Sequence, residues 1–123
     1  MAASTVPRYG IAKNDDATGR NTTMGWSNPA YAATLNLKPN AYDTNVVVAQ
    51  LTGACTVNLD TSRAFAGDEI SLLFSADASI RVVTLGTGTS NAGTISVAAS
   101  KKASVRLKFD GVTWVEQCRT VTA

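Results

Sequence analysis

The stretch Lys102 to Arg119, KASVRLKFDGVTWVEQCR, constrains this chain more than any other. Asp110-Gly111 stands between two alternating segments, the short-range signature of a β-hairpin whose two turn residues take positive φ. A two-residue turn sets Phe109 opposite Val112, Leu107 opposite Trp114, Val105 opposite Glu116 and Ala103 opposite Cys118. All eight then share one side, because the side-chain period of a strand is two. Lys102, Arg106 and Lys108 fall on the other side with Thr113, Val115, Gln117 and Arg119. One face asks for a core and the other for water.

A chain of 123 residues has room for one domain, which at this size buries about two-thirds of its unfolded surface. With 45% hydrophobic and 16% charged residues it is too apolar for a disordered chain. A net charge of +2 is too mild for a protein that neutralises many phosphates, so nucleic acid is not expected as a partner. No apolar run approaches the roughly 18 to 20 residues of a membrane helix, and no membrane partner is expected. Residues Met1 to Thr5 carry neither a basic segment nor an apolar one, so nothing points to export. With no histidine and no C-x-x-C spacing, zinc is disfavoured. Cys55 and Cys118 read as free, buried thiols.

Residues 1–29 are rich in Asn, Thr, Asp, Gly and Ala and show no useful period, which predicts an extended arm. An irregular segment of that length is usually disordered or held by a partner, and the aromatics Tyr9 and Trp26 favour the second. From residue 30 the pattern changes to short β-favouring runs separated by turn residues. A weak alternation spans Tyr31 to Leu37 and stops at Lys38-Pro39-Asn40, since proline cannot donate to a ladder. Thr44 to Leu51 is a β-branched run suited to burial on both faces. Ala54 to Leu59, Glu69 to Phe74, Ile80 to Leu85 and Thr94 to Ala98 alternate as half-buried strands. Short strands at fairly even spacing predict an all-β domain over residues 30–123, an antiparallel β-sandwich of jelly-roll type.

Catalytic patterns are hard to find. Asp15-Asp16 sits among turn formers and reads as an Asx-turn pair. Without histidine a Ser or Cys nucleophile has no common base, and neither a G-x-S-x-G elbow nor an S-x-x-K sequence is present. Gly86-Thr87-Gly88-Thr89 lacks the Gly-Lys-Ser/Thr ending of a phosphate loop and reads as a mobile strand connection. Glu116 falls on the apolar side of the hairpin, where a lone carboxylate is costly, so it should lie at a rim or meet an arginine. The stripe Lys102, Arg106, Lys108 reads as a solvated face guarding an edge. No cofactor is expected, and the chain does not read as an enzyme.

Four features of the second half belong together: Ala66-Gly67-Asp68-Glu69, the strand from Arg81 to Gly86, the small-residue strand from Gly93 to Ala99, and the hairpin from Phe109-Asp110-Gly111 to Trp114. With them, residues 66–120 resemble a β module of tailed-bacteriophage virion proteins, which include head decoration proteins and fibre components. The resemblance implies a non-enzymatic virion protein, commonly a homotrimer, made in the host cytoplasm. It would bind the major capsid protein on the outside of an assembled capsid and reinforce it as a decoration or cement protein. An arm that orders on binding suits such a role, with Arg8, Tyr9, Arg20 and Trp26 as the contact residues. The alternative within the same resemblance is a head or tail fibre component that binds host-surface glycans.

Overall fold

The computed structural model describes residues 24–90 and 93–121. Ten strands follow one another with no helix among the described residues: β1 Met24–Ser27, β2 Thr34–Leu37, β3 Asp43–Val47, β4 Cys55–Leu59, β5 Glu69–Ser75, β6 Arg81–Leu85, β7 Thr89–Ser90, β8 Thr94–Val97, β9 Lys102–Phe109 and β10 Trp114–Val121. They form a six-stranded sheet, β1-β3-β5-β9-β10-β7, and a four-stranded sheet, β2-β4-β6-β8.

The chain alternates between the sheets. β1, β3 and β5 lie parallel in the large sheet, and β2, β4 and β6 lie parallel in the small one. Each pair of strands is thus one coil, and three coils stack into a β-solenoid. The expectation of an antiparallel jelly-roll sandwich is overturned by this pairing. Its basis was alternation, which records only that one face of a strand is buried. Parallel sheets are usually covered on both faces by helices and then lose the alternation. Here the outer faces meet solvent, so parallel strands carry the pattern ordinarily read as antiparallel.

Stacking in register explains which residues sit where. Leu35, Val57 and Leu85 lie side by side across β2, β4 and β6, as do Asn36 and Asn58, and Leu37 and Leu59. Asn58 donates from Nδ2 to Asn36 Oδ1 at 3.0 Å, and its own Oδ1 accepts the Thr87 amide at 2.8 Å. Across the large sheet Val46 aligns with Leu72 and then Val105, while Thr44 aligns with Ile70 and Leu107. Between the sheets the apolar members of these rows, with Phe74, Leu51, Ile95 and Trp114, make one core.

Expected strand positions and half-burial are largely met, with one difference at Thr44 to Leu51. Val46 and Val48 are buried, but Val47 is exposed, so this run has one core face and not two. Coiling stops at the C-terminal side. β8 pairs antiparallel with β6, β9 antiparallel with β5, and β10 antiparallel with β9.

The hairpin differs from its predicted register for a local reason. Asp110 Oδ1 accepts the amides of Val112 and Thr113, both at 2.8 Å, and the Asp110 amide donates to the Thr113 carbonyl at 3.1 Å. These bonds favour a four-residue loop, Asp110 to Thr113, over a two-residue turn, and Gly111 alone takes positive φ (103°). Phe109 therefore faces Trp114, their ring centroids 5.2 Å apart, and Val112 is exposed. A slip of two residues preserves the faces as far as Glu116. A bulge between Glu116 and Cys118 then reverses them, so Cys118 pairs with Arg106 and is exposed. Of the two thiols expected to be buried, only Cys55 is, and burial raises its pKa.

Candidate functional site

The first coil covers the core with few side chains of its own. β1 places Gly25 beside Thr44 and Ser27 beside Val46, so its inward positions carry almost no side chain where the next strands carry Thr44, Val46, Ile70 and Leu72. A cleft of about 320 Å³ results, floored by Val46 and Ile70 and walled by Leu37, Pro39 and the β1 backbone. Thr44 Oγ1, buried beneath Gly25, has no hydrogen-bond partner among the described residues. Nothing among them pairs with the free side of β1.

Trp26 stands at the rim of this cleft and is 72% exposed. Strand alternation turns it to the outer face, in the row Trp26, Asn45, Ser71, Arg106 across β1, β3, β5 and β9. The sequence-predicted contact residues divide accordingly. Trp26 is a large apolar group held out in solvent on the strand that is outermost among the described residues, whereas Arg8, Tyr9 and Arg20 lie outside the described residues, as does Asp15-Asp16.

Electrostatics along the outer face are mostly internal. The predicted stripe of Lys102, Arg106 and Lys108 is present on one side of β9, but Glu69 of β5 lies against it. Glu69 pairs with Arg106 through Oε1 and with Lys108 Nζ at 3.4 Å through Oε2. Two of the three cations therefore already face a carboxylate, which weakens the stripe as an anion-binding surface.

Glu116 meets an arginine, as expected. Arg119 donates to both its carboxylate oxygens, from Nε at 2.6 Å and from Nη2 at 2.5 Å, and also from Nη1 to the Thr94 carbonyl at 2.8 Å. That fork holds the Glu116 pKa below its ordinary value. Arg81 forks onto Asp77 in the same way, at 2.8 and 2.9 Å, and depresses the Asp77 pKa. Both pairs clamp corners of the fold.

The remaining sequence candidates are structural. Gly86 to Ser90 is tied down on several sides: the Leu59 amide donates to Thr87 O, the Gly86 amide to Val57 O and the Trp114 amide to Gly88 O, all at 2.8 to 2.9 Å. This segment is a fixed joint between β4, β6 and β10, in contrast to the mobile connection expected. Ala66-Gly67-Asp68 closes onto β9, where the Gly67 amide donates to Phe109 O and the Phe109 amide to Asp68 O, both at 2.8 Å. Tyr31 packs against the core and donates its hydroxyl to Ala54 O at 2.8 Å.

Sequence reasoning missed Gly25, Ser27 and the cleft they leave. A readable signal existed: T-L-N-L at residues 34–37 recurs as T-V-N-L at residues 56–59, a 22-residue step characteristic of stacked coils. Among the described residues no group of three or more His, Cys, Asp or Glu is placed to hold a metal ion. No protein-family model matches the chain, and no curated protein matches it.

Proposed function

We propose that this chain is a non-enzymatic structural protein of a tailed-phage virion, which binds the outer surface of the capsid through the major capsid protein and stabilises it. The observation that carries this reading is Trp26, 72% exposed on β1, an uncharged strand that is outermost in its sheet among the described residues. Tryptophan is enriched at the buried centres of protein interfaces and depleted from free surfaces. The resemblance of residues 66–120 to decoration and fibre modules supplies the kind of partner. A homotrimer on a symmetric capsid adds avidity to a small contact.

Sedimentation of the full chain with expanded, undecorated capsids of the phage that encodes it tests the proposal. Wild type should co-sediment at saturable occupancy, and Trp26→Ala should lose at least about tenfold in affinity, the scale of a modest hot spot. Full binding by the variant would overturn the role of Trp26, and no binding by wild type would overturn the reading itself. Trp26 beside Asn45 also suits stacking on a sugar ring, as a fibre component would require. A glycan array separates the two readings, because a capsid-binding protein should be silent on it.

A further inference from the structure

We infer that a second copy of this chain binds the long edge of the solenoid formed by the turns 38–42, 60–68 and 110–113, through Tyr42, Phe65, Val112 and the charges around them. This edge is distinct from the outer-face row that carries Trp26, so the inference does not rest on the capsid reading.

Backbone hydrogen bonds bring the three turns together. The Asp60 amide donates to the Leu37 carbonyl and the Glu69 amide to the Tyr42 carbonyl, both at 2.9 Å, which stacks the second turn on the first. The Gly67 amide donates to the Phe109 carbonyl at 2.8 Å, and a Cβ on Gly111 would lie 3.8 Å from the Ala66 Cβ. The 110–113 loop is thereby closed onto the second turn. On this edge Tyr42, Phe65 and Val112 are 55%, 46% and 74% exposed. The opposite edge, formed by the turns 28–33, 48–54, 76–80 and 98–101, exposes Ile80 alone among its large apolar residues. Exposed apolar side chains scattered singly are ordinary, but three gathered on adjoining turns mark an interaction surface.

The turns that present these residues are already held. Asp68 Oδ2 accepts the Phe65 amide at 2.9 Å, and Asp110 Oδ1 accepts the Val112 and Thr113 amides at 2.8 Å. Association therefore has little backbone to order, which lowers its cost.

Charge selects the partner. Apart from the buried Asp68, the three turns carry Lys38 and Arg63 against Asp60 and Asp110, two cations and two anions. None of these four forms an ion pair among the described residues, whereas Glu69, Asp77 and Glu116 each meet an arginine. Amides of Thr113 and Val112 hold the Asp110 pKa below its ordinary value, so this carboxylate is an anion at neutral pH. A strongly acidic or basic partner would set like charges against half of this edge, which is costly at an interface. A copy of the same edge brings both signs in equal number. Arg63 precedes Phe65 in its turn, and Asp110 opens the loop that packs on Ala66. Around a symmetry axis through Phe65 and Val112, Arg63 of one copy can meet Asp110 of the next. Closed symmetry of this kind is the usual state of homo-oligomers, and an apolar centre with a polar rim is the usual anatomy of an interface.

Sedimentation velocity of the free, full-length chain over a concentration series tests the inference without any capsid. Wild type should sediment as a discrete oligomer that dissociates on dilution. Val112→Asp puts a charge at the apolar centre and should raise the dissociation constant at least about a hundredfold. Phe65→Ser repeats the test at a second position, and Arg63→Glu should raise the constant about tenfold by facing Asp110 with a like charge. Ile80→Asp, on the opposite edge, should leave association unchanged. Far-UV circular dichroism and urea midpoints matching wild type show that each variant is folded. A wild type that is monomeric at every concentration would overturn the inference. So would an oligomer indifferent to both Val112→Asp and Phe65→Ser, or one weakened equally by Ile80→Asp. Each of these outcomes leaves the capsid sedimentation result standing, so the two readings fail separately.

Discussion

Two tryptophans show how position in the coil decides what a residue does. Trp114 is fully buried against Phe109, and its indole N–H donates to the Asp60 carbonyl at 3.3 Å. Trp114→Ala should cost about 3 to 5 kcal/mol, the range for emptying an aromatic core site, measured by urea denaturation. Trp26→Ala should leave the urea midpoint unchanged within about 0.5 kcal/mol, because an exposed side chain loses little when truncated. The carboxylates give a pH signature. Asp77 and Glu116 have depressed pKa values when folded, each held first by a hydrogen bond from an arginine. Their contribution is therefore fully present above the ordinary values of 3.8 and 4.5 and is lost as pH falls through the lower folded values. Thermal midpoints between pH 6 and 2 should stay flat at first and then fall below about pH 4. Glu116→Gln combined with Asp77→Asn should flatten that fall.

At the scale of elements, the joints are as informative as the strands. Gly88 has φ of 87°, and a Cβ there would lie 1.8 Å from the Leu59 carbonyl oxygen. Gly88→Ala must therefore displace the end of β4 as well as strain the backbone. It should cost roughly 2 kcal/mol or more, read as a lower denaturation midpoint. The individual strands were legible in the sequence, because Cys55, Val57 and Leu59, or Ile70, Leu72 and Phe74, show their burial through a period of two. Their partners were not, since alternation says which way a side chain points and nothing about the direction of the neighbouring strand. The hairpin register failed at Asp110, whose carboxylate captures two amides and widens the turn, and again at the bulge near Gln117 that sends Cys118 outward. The cleft was hidden for a further reason: small inward residues such as Gly25 and Ser27 read as turn formers in isolation. They become the lining of a cleft only once the coils are stacked.

For the whole molecule, both sheets contribute to one core, so the three coils and the C-terminal hairpin should melt together. In a Trp26→Phe background, the fluorescence of Trp114 and the far-UV circular dichroism should give coincident urea transitions. A lag between them would show that the hairpin and the coils unfold separately. The topology also decides what an N-terminal truncation would test. Removing residues 1–29 removes β1 with the arm and opens the edge of β3, whereas removing residues 1–23 keeps every described strand. Loss of capsid binding is interpretable only in the second variant. The reversal of chain direction after β6, described above as the end of coiling, has a practical side. β10 lies four strands from β1 in the large sheet, about 19 Å away at the usual strand spacing. A molecule attached through its β1 end would hold β10 well back from the attachment line, so the fold offers itself as a one-sided display platform.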